Sequence, residues 1–147
     1  MSAATAHDPN PFLHSDAAAT LLVELRRTTD GRTGDRLSTA IRAVTTAGST
    51  LPPDQVDAAI AAIALLLTEY EPSLLDGATD EAALRGWLHD VDTELTPGRR
   101  LAATAALARI ELAMNNEWFD AHQRAGSLPG AIATLHRLRD GLADAAG

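Results

Sequence analysis

A run of ten apolar residues, "AAIAAIALLL" at positions 58–67, constrains the fold more than any other stretch of the sequence. A bilayer span needs about 20 such residues, so the run predicts a helix buried inside a globular protein. A stripe at helical spacing extends from Val56 to Tyr70, and Leu65 and Leu66 make the opposite side apolar as well. A helix that is apolar on all sides has to be surrounded by other elements, so this one is predicted to be central.

The neighbouring prolines predict where the central helix begins and ends. In "LPPDQVD", residues 51–57, the prolines cannot continue a preceding helix and Asp54 is a candidate N-cap. Pro72 is predicted to end the helix.

Composition extends the helical prediction to the rest of the chain. Alanine makes up roughly a fifth of the residues and aromatics only 3%, and alanine favours helices whereas aromatics favour strands. The length of 147 residues and the hydrophobic content of 46% suit one domain with a continuous core. We predict an all-α, compact bundle of about six helices at residues 15–144, with flexible segments at 1–14 and 145–147.

Apolar stripes and capping residues predict the other helices. Ser15 or Asp16 is a candidate N-cap for the first, and Thr96 before Pro97 is a good helix start. The helix from Pro97 is apolar on most sides, so we expect it to pair with the central helix. The apolar residues of the other helices are Leu21, Leu22 and Leu25; Leu37, Ile41 and Val44; Leu84, Trp87, Leu88, Val91 and Leu95; and Ile132, Leu135, Leu138 and Leu142. In the helix from Pro97, the residues that make most sides apolar are Leu101, Leu107, Ile110 and Leu112.

Charge narrows the classes of partner. The net charge of -8 argues against nucleic acid and anionic membranes, which are bound by clustered basic residues, and favours a basic protein partner. The absence of cysteine excludes disulfides and thiolate metal sites. The first residues contain neither a basic region nor an apolar run, so no signal peptide is predicted and a cytoplasmic location is expected.

The motifs of common enzymes and metal sites are missing from the sequence. It contains no G-x-S-x-G and no phosphate-binding glycine loop. The five histidines lack the i, i+4 spacing of a zinc-binding helix, although His89 and Asp92 could share a helix face. We therefore expect no enzyme activity, no cofactor and no metal.

The stretch "NNEWFDAHQRAG", residues 115–126, is the sharpest candidate for a binding site. Successive helical residues point about 100° apart, so Trp118 and Phe119 cannot both face fully inward. Exposed aromatics are enriched in binding hot spots, but a short helix between long ones also needs large side chains to reach the core. The structural role is the favoured interpretation. The candidate interaction or pocket residues are Trp118, Phe119, His122, Trp87 and Tyr70.

Two groups of residues, one at each end of the chain, follow a known pattern: Phe12, Asp16 and Ala18 near the start, and Trp118, Leu135, Leu138 and Leu142 near the end. With these positions the chain resembles an uncharacterised bacterial family, domain of unknown function 4259. Asn10 and Pro11 stand where that family has a Trp-Gly pair before the phenylalanine. The resemblance implies a small helical fold in bacteria with no established activity, in which Phe12 and Trp118 define the fold.

Three hypotheses for function follow. The favoured one is a noncatalytic acidic module of the bacterial cytoplasm that binds a basic protein, as an immunity or antagonist protein does. The second is a small-molecule sensor or enzyme with a pocket between helices near Trp87, Tyr70 and Trp118. The third is a homo-oligomeric structural module, because alanine-rich helix faces pack closely against each other.

Overall fold

The computed structural model describes residues 10–28, 31–48, 50–112 and 116–146, and these form seven α-helices without a β-sheet. The helices are α1 Asp16–Arg27, α2 Thr33–Thr46, α3 Pro53–Leu67, α4 Glu81–Asp90, α5 Pro97–Leu112, α6 Glu117–Ala125 and α7 Leu128–Ala146. A 3₁₀ turn, Pro72–Leu75, lies between α3 and α4. The predicted all-α bundle is confirmed.

The central position predicted for the apolar run is confirmed. Every residue of α3 from Ala59 to Leu67 is buried. Around it lie α1, α2, α6, α7 and the 3₁₀ turn, with a smaller contact from α5. Because the run alternates large aliphatic side chains with alanine, neighbouring helices can approach α3 closely on more than one side.

Both ends of α3 differ from the prediction. Asp54 makes no capping hydrogen bond, since Pro52 occupies the N-cap position and Asp54 lies exposed in the first turn. There its charge still faces the positive end of the helix. The helix ends at Leu67 rather than near Pro72, and the chain enters a turn in which the amides of Tyr70 and Glu71 both donate to the Leu67 carbonyl.

The end of α4 shows why apolar periodicity can overextend a predicted helix. The predicted stripe continued to Leu95, but α4 ends at Asp90 and Val91 is extended. Residues 91–96 instead form a loop, which Arg99 holds through a 2.8 Å hydrogen bond to the Glu94 carbonyl. The loop still contributes to the core, because Leu95 is buried.

The sequence led us to expect that α5 pairs with α3, but α3 is only a minor neighbour of α5. The principal neighbours of α5 are α2 and α7. Its buried residues are Ala103, Ala106, Leu107 and Ile110. Leu101 and Leu112 are 71% and 79% exposed, so two of the four large apolar residues noted in the sequence of this helix lie on the solvent side.

The chain before α1 is packed where the sequence predicts a flexible segment. Asn10 is buried and uses both ends of its amide: Nδ2 donates to the carbonyls of Leu74 (2.7 Å) and Asp76 (2.9 Å). Its Oδ1 accepts from the amides of Phe12 (2.9 Å) and Leu13 (3.1 Å). The remaining predicted flexible residues, 1–9, lie outside the described residues. At the other end, α7 continues through Ala146, into the predicted tail, and residue 147 is likewise outside.

Candidate functional site

Three of the five candidate residues meet on α6, over the first turns of α3. Trp118 is 2% exposed, and its indole Nε1 donates a 2.8 Å hydrogen bond to Asp57 Oδ1. The ring of Phe119 meets the Trp118 ring edge to face at 5.4 Å, and the His122 ring meets it at 4.6 Å. Phe119 and His122 are half-buried, so Trp118 is the residue that anchors α6.

Local interactions fix the position of α6. Asn116 caps it, because its side chain accepts from the Phe119 amide and donates a 2.7 Å hydrogen bond to the Ile110 carbonyl. A parallel β-bridge between Leu51 and Asn116 joins the start of α6 to the start of α3. Gly126 ends the helix with φ of 75°, a backbone conformation that favours glycine.

Asp57 is a residue of this cluster that was not identified from the sequence. Burial raises the pKa of its carboxyl, while the hydrogen bond from Trp118 and the nearby His122 and His14 act in the opposite direction. The sequence does contain a clue to this role, because Asp57 follows the inward-facing Val56 and directly precedes the apolar run. An acid in that position needs a polar partner, and the Trp118 indole provides it.

His122 and Ser127 form a close pair beside Asp57 but do not complete a nucleophilic triad. His122 Nδ1 lies 2.8 Å from Ser127 Oγ, and the Ser127 amide donates to the His122 carbonyl. Among the described residues, the hydrogen bond of Asp57 goes to Trp118 and not to His122. The pair therefore closes the turn between α6 and α7.

A second candidate lies at the opposite end of α3. A cleft of about 760 Å3 is formed by the end of α3, by α4 and by the loop that follows it. We call it the acidic cleft; its lining is Thr68, Glu69, Tyr70, Arg85, Leu88, His89, Val91, Asp92, Thr93 and Glu94. The lining contains three carboxylates, those of Glu69, Asp92 and Glu94, and one guanidinium, that of Arg85, so its net charge is negative. Tyr70 is 53% exposed at its wall.

The charges of the acidic cleft differ in how they are paired. Arg85 is occupied, since it donates to Glu81, to Asp76 and to the Pro72 carbonyl. The pKa of Asp92 is lowered, first by the hydrogen bond from the Glu94 amide and then by Arg99, so Asp92 stays ionised in mild acid.

Two further carboxylates of the cleft have no cationic partner. Within the part of the chain that the structure describes, no ion pair reaches Glu69 or Glu94. Both residues are exposed. The cleft therefore presents unneutralised negative charge beside an exposed aromatic ring.

The single pocket expected near Trp87, Tyr70 and Trp118 is not formed. Trp118 is bound to Asp57 near the start of α3, whereas Tyr70 follows the end of that helix. Ten residues of helix, about 15 Å, separate Asp57 from Leu67 along the axis. Trp87 is half-buried against the core and is not part of the cleft lining. The candidates thus fall into a structural cluster around Trp118 and a cleft around Tyr70.

Comparison of the chain with protein-family models, curated proteins and solved structures gives no match. Among the described residues, no helix has both the length and the hydropathy that crossing a membrane requires. In that same part of the chain, His, Asp and Glu side chains form no group of three that could hold a metal ion.

Proposed function

We propose that the protein is a noncatalytic binding domain of the bacterial cytoplasm that captures a basic segment of another protein in the acidic cleft. An immunity or antagonist protein would act in this way. The observation that carries the proposal is the exposed Tyr70 ring beside the unpaired carboxylates of Glu69 and Glu94.

The chemistry of the cleft suits an arginine or lysine side chain. A guanidinium can form paired hydrogen bonds with one carboxylate and also lie over an aromatic face. Tyrosine is enriched among the residues that dominate binding energy. The volume of about 760 Å3 falls within the range of sites that bind a small molecule or a few side chains.

The charge of the whole molecule favours rapid capture of such a partner. The net charge of -8 attracts a basic protein from a distance, and the uncompensated carboxylates of the cleft direct the encounter. Because its pKa is lowered, Asp92, which pairs with Arg99, also stays ionised in mildly acidic solution.

The test is a pull-down from lysate of the source organism at about 0.1 M and about 1 M salt, where the screening length falls from about 10 Å to about 3 Å. The variants are Tyr70→Ala and the double variant Glu69→Gln/Glu94→Gln. The double variant Asp140→Asn/Asp144→Asn is the matched control, because it removes the same charge from exposed positions on α7.

A basic protein should bind the wild type and the control at low salt and be lost at high salt. Both cleft variants should weaken the affinity for this partner at least about tenfold, which corresponds to about 1.4 kcal/mol of binding free energy. Equal recovery of the partner with all variants, or recovery that is independent of salt, would contradict the proposal.

The cleft volume also supports a second candidate, a small organic cation as the ligand. Native mass spectrometry of the purified protein distinguishes the two. A bound small molecule that disappears in Tyr70→Ala would favour the second candidate over a protein partner.

A further inference from the structure

The solvent side of α5 carries an apolar stripe made of Leu101, Ala105, Ala108 and Leu112. Steps of four, three and four residues place these side chains on one face of the helix. All four are exposed, and Leu101 and Leu112, at 71% and 79%, exceed every other exposed large hydrophobic residue in the described chain. Exposed leucines at both ends of a continuous helical face indicate an interaction surface.

The α5 stripe forms a ridge with a groove on each side. The groove toward α2 has a volume of about 490 Å3 and includes Thr45 and Arg109. The groove toward α7 has a volume of about 320 Å3 and includes Arg100, Glu111 and Arg139. A ridge between grooves is the shape that another helix can pack against.

The stripe has the same spacing in either direction: leucine, alanine, alanine, leucine. In an antiparallel pairing with a second copy, Leu101 lies opposite Leu112 of that copy, and Ala105 lies opposite Ala108. The two alanines at the centre let the helices approach closely, and the leucines close both ends. Such self-complementarity is what a twofold interface requires.

The charges beside the stripe favour the same orientation. Arg100 and Glu111 lie toward α7 at opposite ends of the stripe, so antiparallel pairing brings Arg100 of each copy to Glu111 of the other. In the described part of the chain no ion pair reaches Arg100. Glu111 already lies 3.5 Å from Arg139 through Oε2 and 3.8 Å from His136 through Oε1, so Arg100 of the second copy would join this cluster at its exposed side. A parallel twofold pairing would place the Arg100–Glu111 flanks of the two copies on opposite sides of the stripe, so Arg100 would not meet Glu111.

We propose that the α5 stripe is covered by α5 of a second copy of this chain, in antiparallel orientation. Eleven residue steps give a stripe about 17 Å long, and three neighbouring helices about 10 Å apart give a face roughly 25 Å wide. This is about half of the roughly 800 Å2 per partner of a standard interface, so we expect a weak dimer. The stripe is separate from the acidic cleft, and dimerisation does not depend on the proposed function.

The first test is sedimentation velocity of the full chain from about 1 to about 500 µM, a concentration range in which a weak dimer forms. The wild type should pass from monomer to dimer, and Leu101→Glu or Leu112→Glu should weaken the dimer at least tenfold. Val23→Glu is the matched control, because Val23 is a 50% exposed apolar residue on α1, and it should leave the dimer unchanged. Circular dichroism melts should show all variants folded, since these positions are exposed.

The second test reports orientation and uses the absence of cysteine from the sequence. Leu101→Cys and Leu112→Cys are treated with a short bismaleimide, each alone and as an equimolar mixture. Antiparallel pairing predicts efficient cross-linking only in the mixture.

Cross-linking within a single variant would overturn the antiparallel arrangement. A chain that stays monomeric at the highest concentration, or a dimer that both glutamate substitutions leave intact, would overturn the proposal and leave the stripe to a different protein.

Discussion

Replacing Trp118 by phenylalanine tests whether the aromatic pair of α6 is structural, as the favoured interpretation of the sequence has it. Trp118 is 2% exposed and donates a 2.8 Å hydrogen bond to Asp57. A hydrogen bond to a charged group is worth about 1.5–3 kcal/mol, and the lower end applies because Asp57 is only half-buried. The smaller ring removes buried carbon worth roughly another 1–2 kcal/mol. We expect Trp118→Phe to lower the free energy of unfolding by about 3 kcal/mol.

The measurement is urea unfolding followed by far-UV circular dichroism. Trp87→Phe is the matched control, because Trp87 is half-buried and its indole makes no hydrogen bond to a described residue; it should cost about 1 kcal/mol. A double-mutant cycle with Asp57→Ala should give a coupling energy of about 1–2 kcal/mol between the two side chains. Equal effects of the two tryptophan substitutions, or a coupling energy near zero, would refute the structural role assigned to the Trp118–Asp57 contact.

Two further predictions concern buried polar groups, and both are measured by urea unfolding. Asn10→Asp should lower the free energy of unfolding by about 3 kcal/mol or more, because it replaces the amide that donates to the carbonyls of Leu74 and Asp76 with an acceptor. A loss below about 1 kcal/mol would contradict this prediction. Because the pKa of Asp57 is raised above its ordinary 3.8, the folded state binds more protons just above that pH, and the contribution of Asp57 to stability falls as pH rises through this window. Asp57→Asn keeps an acceptor for Trp118 and should remove this fall above about pH 4. The same pH dependence in variant and wild type would show that Asp57 does not cause it.

The sequence was a good guide wherever a feature depends on nearby residues. Ser15 accepts from the Ala18 amide as an N-cap, Thr96 accepts from the Arg99 amide at the start of α5, and Gly126 ends α6. These caps were predictable because each is made within a few residues of chain. The boundaries that failed, at Leu67 and Asp90, lie where the apolar pattern continues into a turn or loop that still packs on the core.

The candidate site was predicted only in fragments. Tyr70 was identified from the sequence, but its place in an open cleft depends on α3 ending at Leu67 and on the loop after α4 turning toward it. Glu69 and Glu94 are ordinary exposed carboxylates in the sequence. Their significance comes from lying in one cleft without a cationic partner among the described residues, which sequence spacing cannot report.

The sequence by itself determined that the chain is helical and that α3 is its centre, because a helix apolar on all sides has no stable position except among other helices. Only the tertiary structure decided which side of α5 is covered and which partner satisfies Asp57. In α5 the apolar residues lie on several sides, and packing by α2 and α7 buries Ala106 and Ile110 but leaves Leu101 exposed. Periodicity reports which residues share a helix face, whereas the contacts of that face depend on how distant segments pack in space.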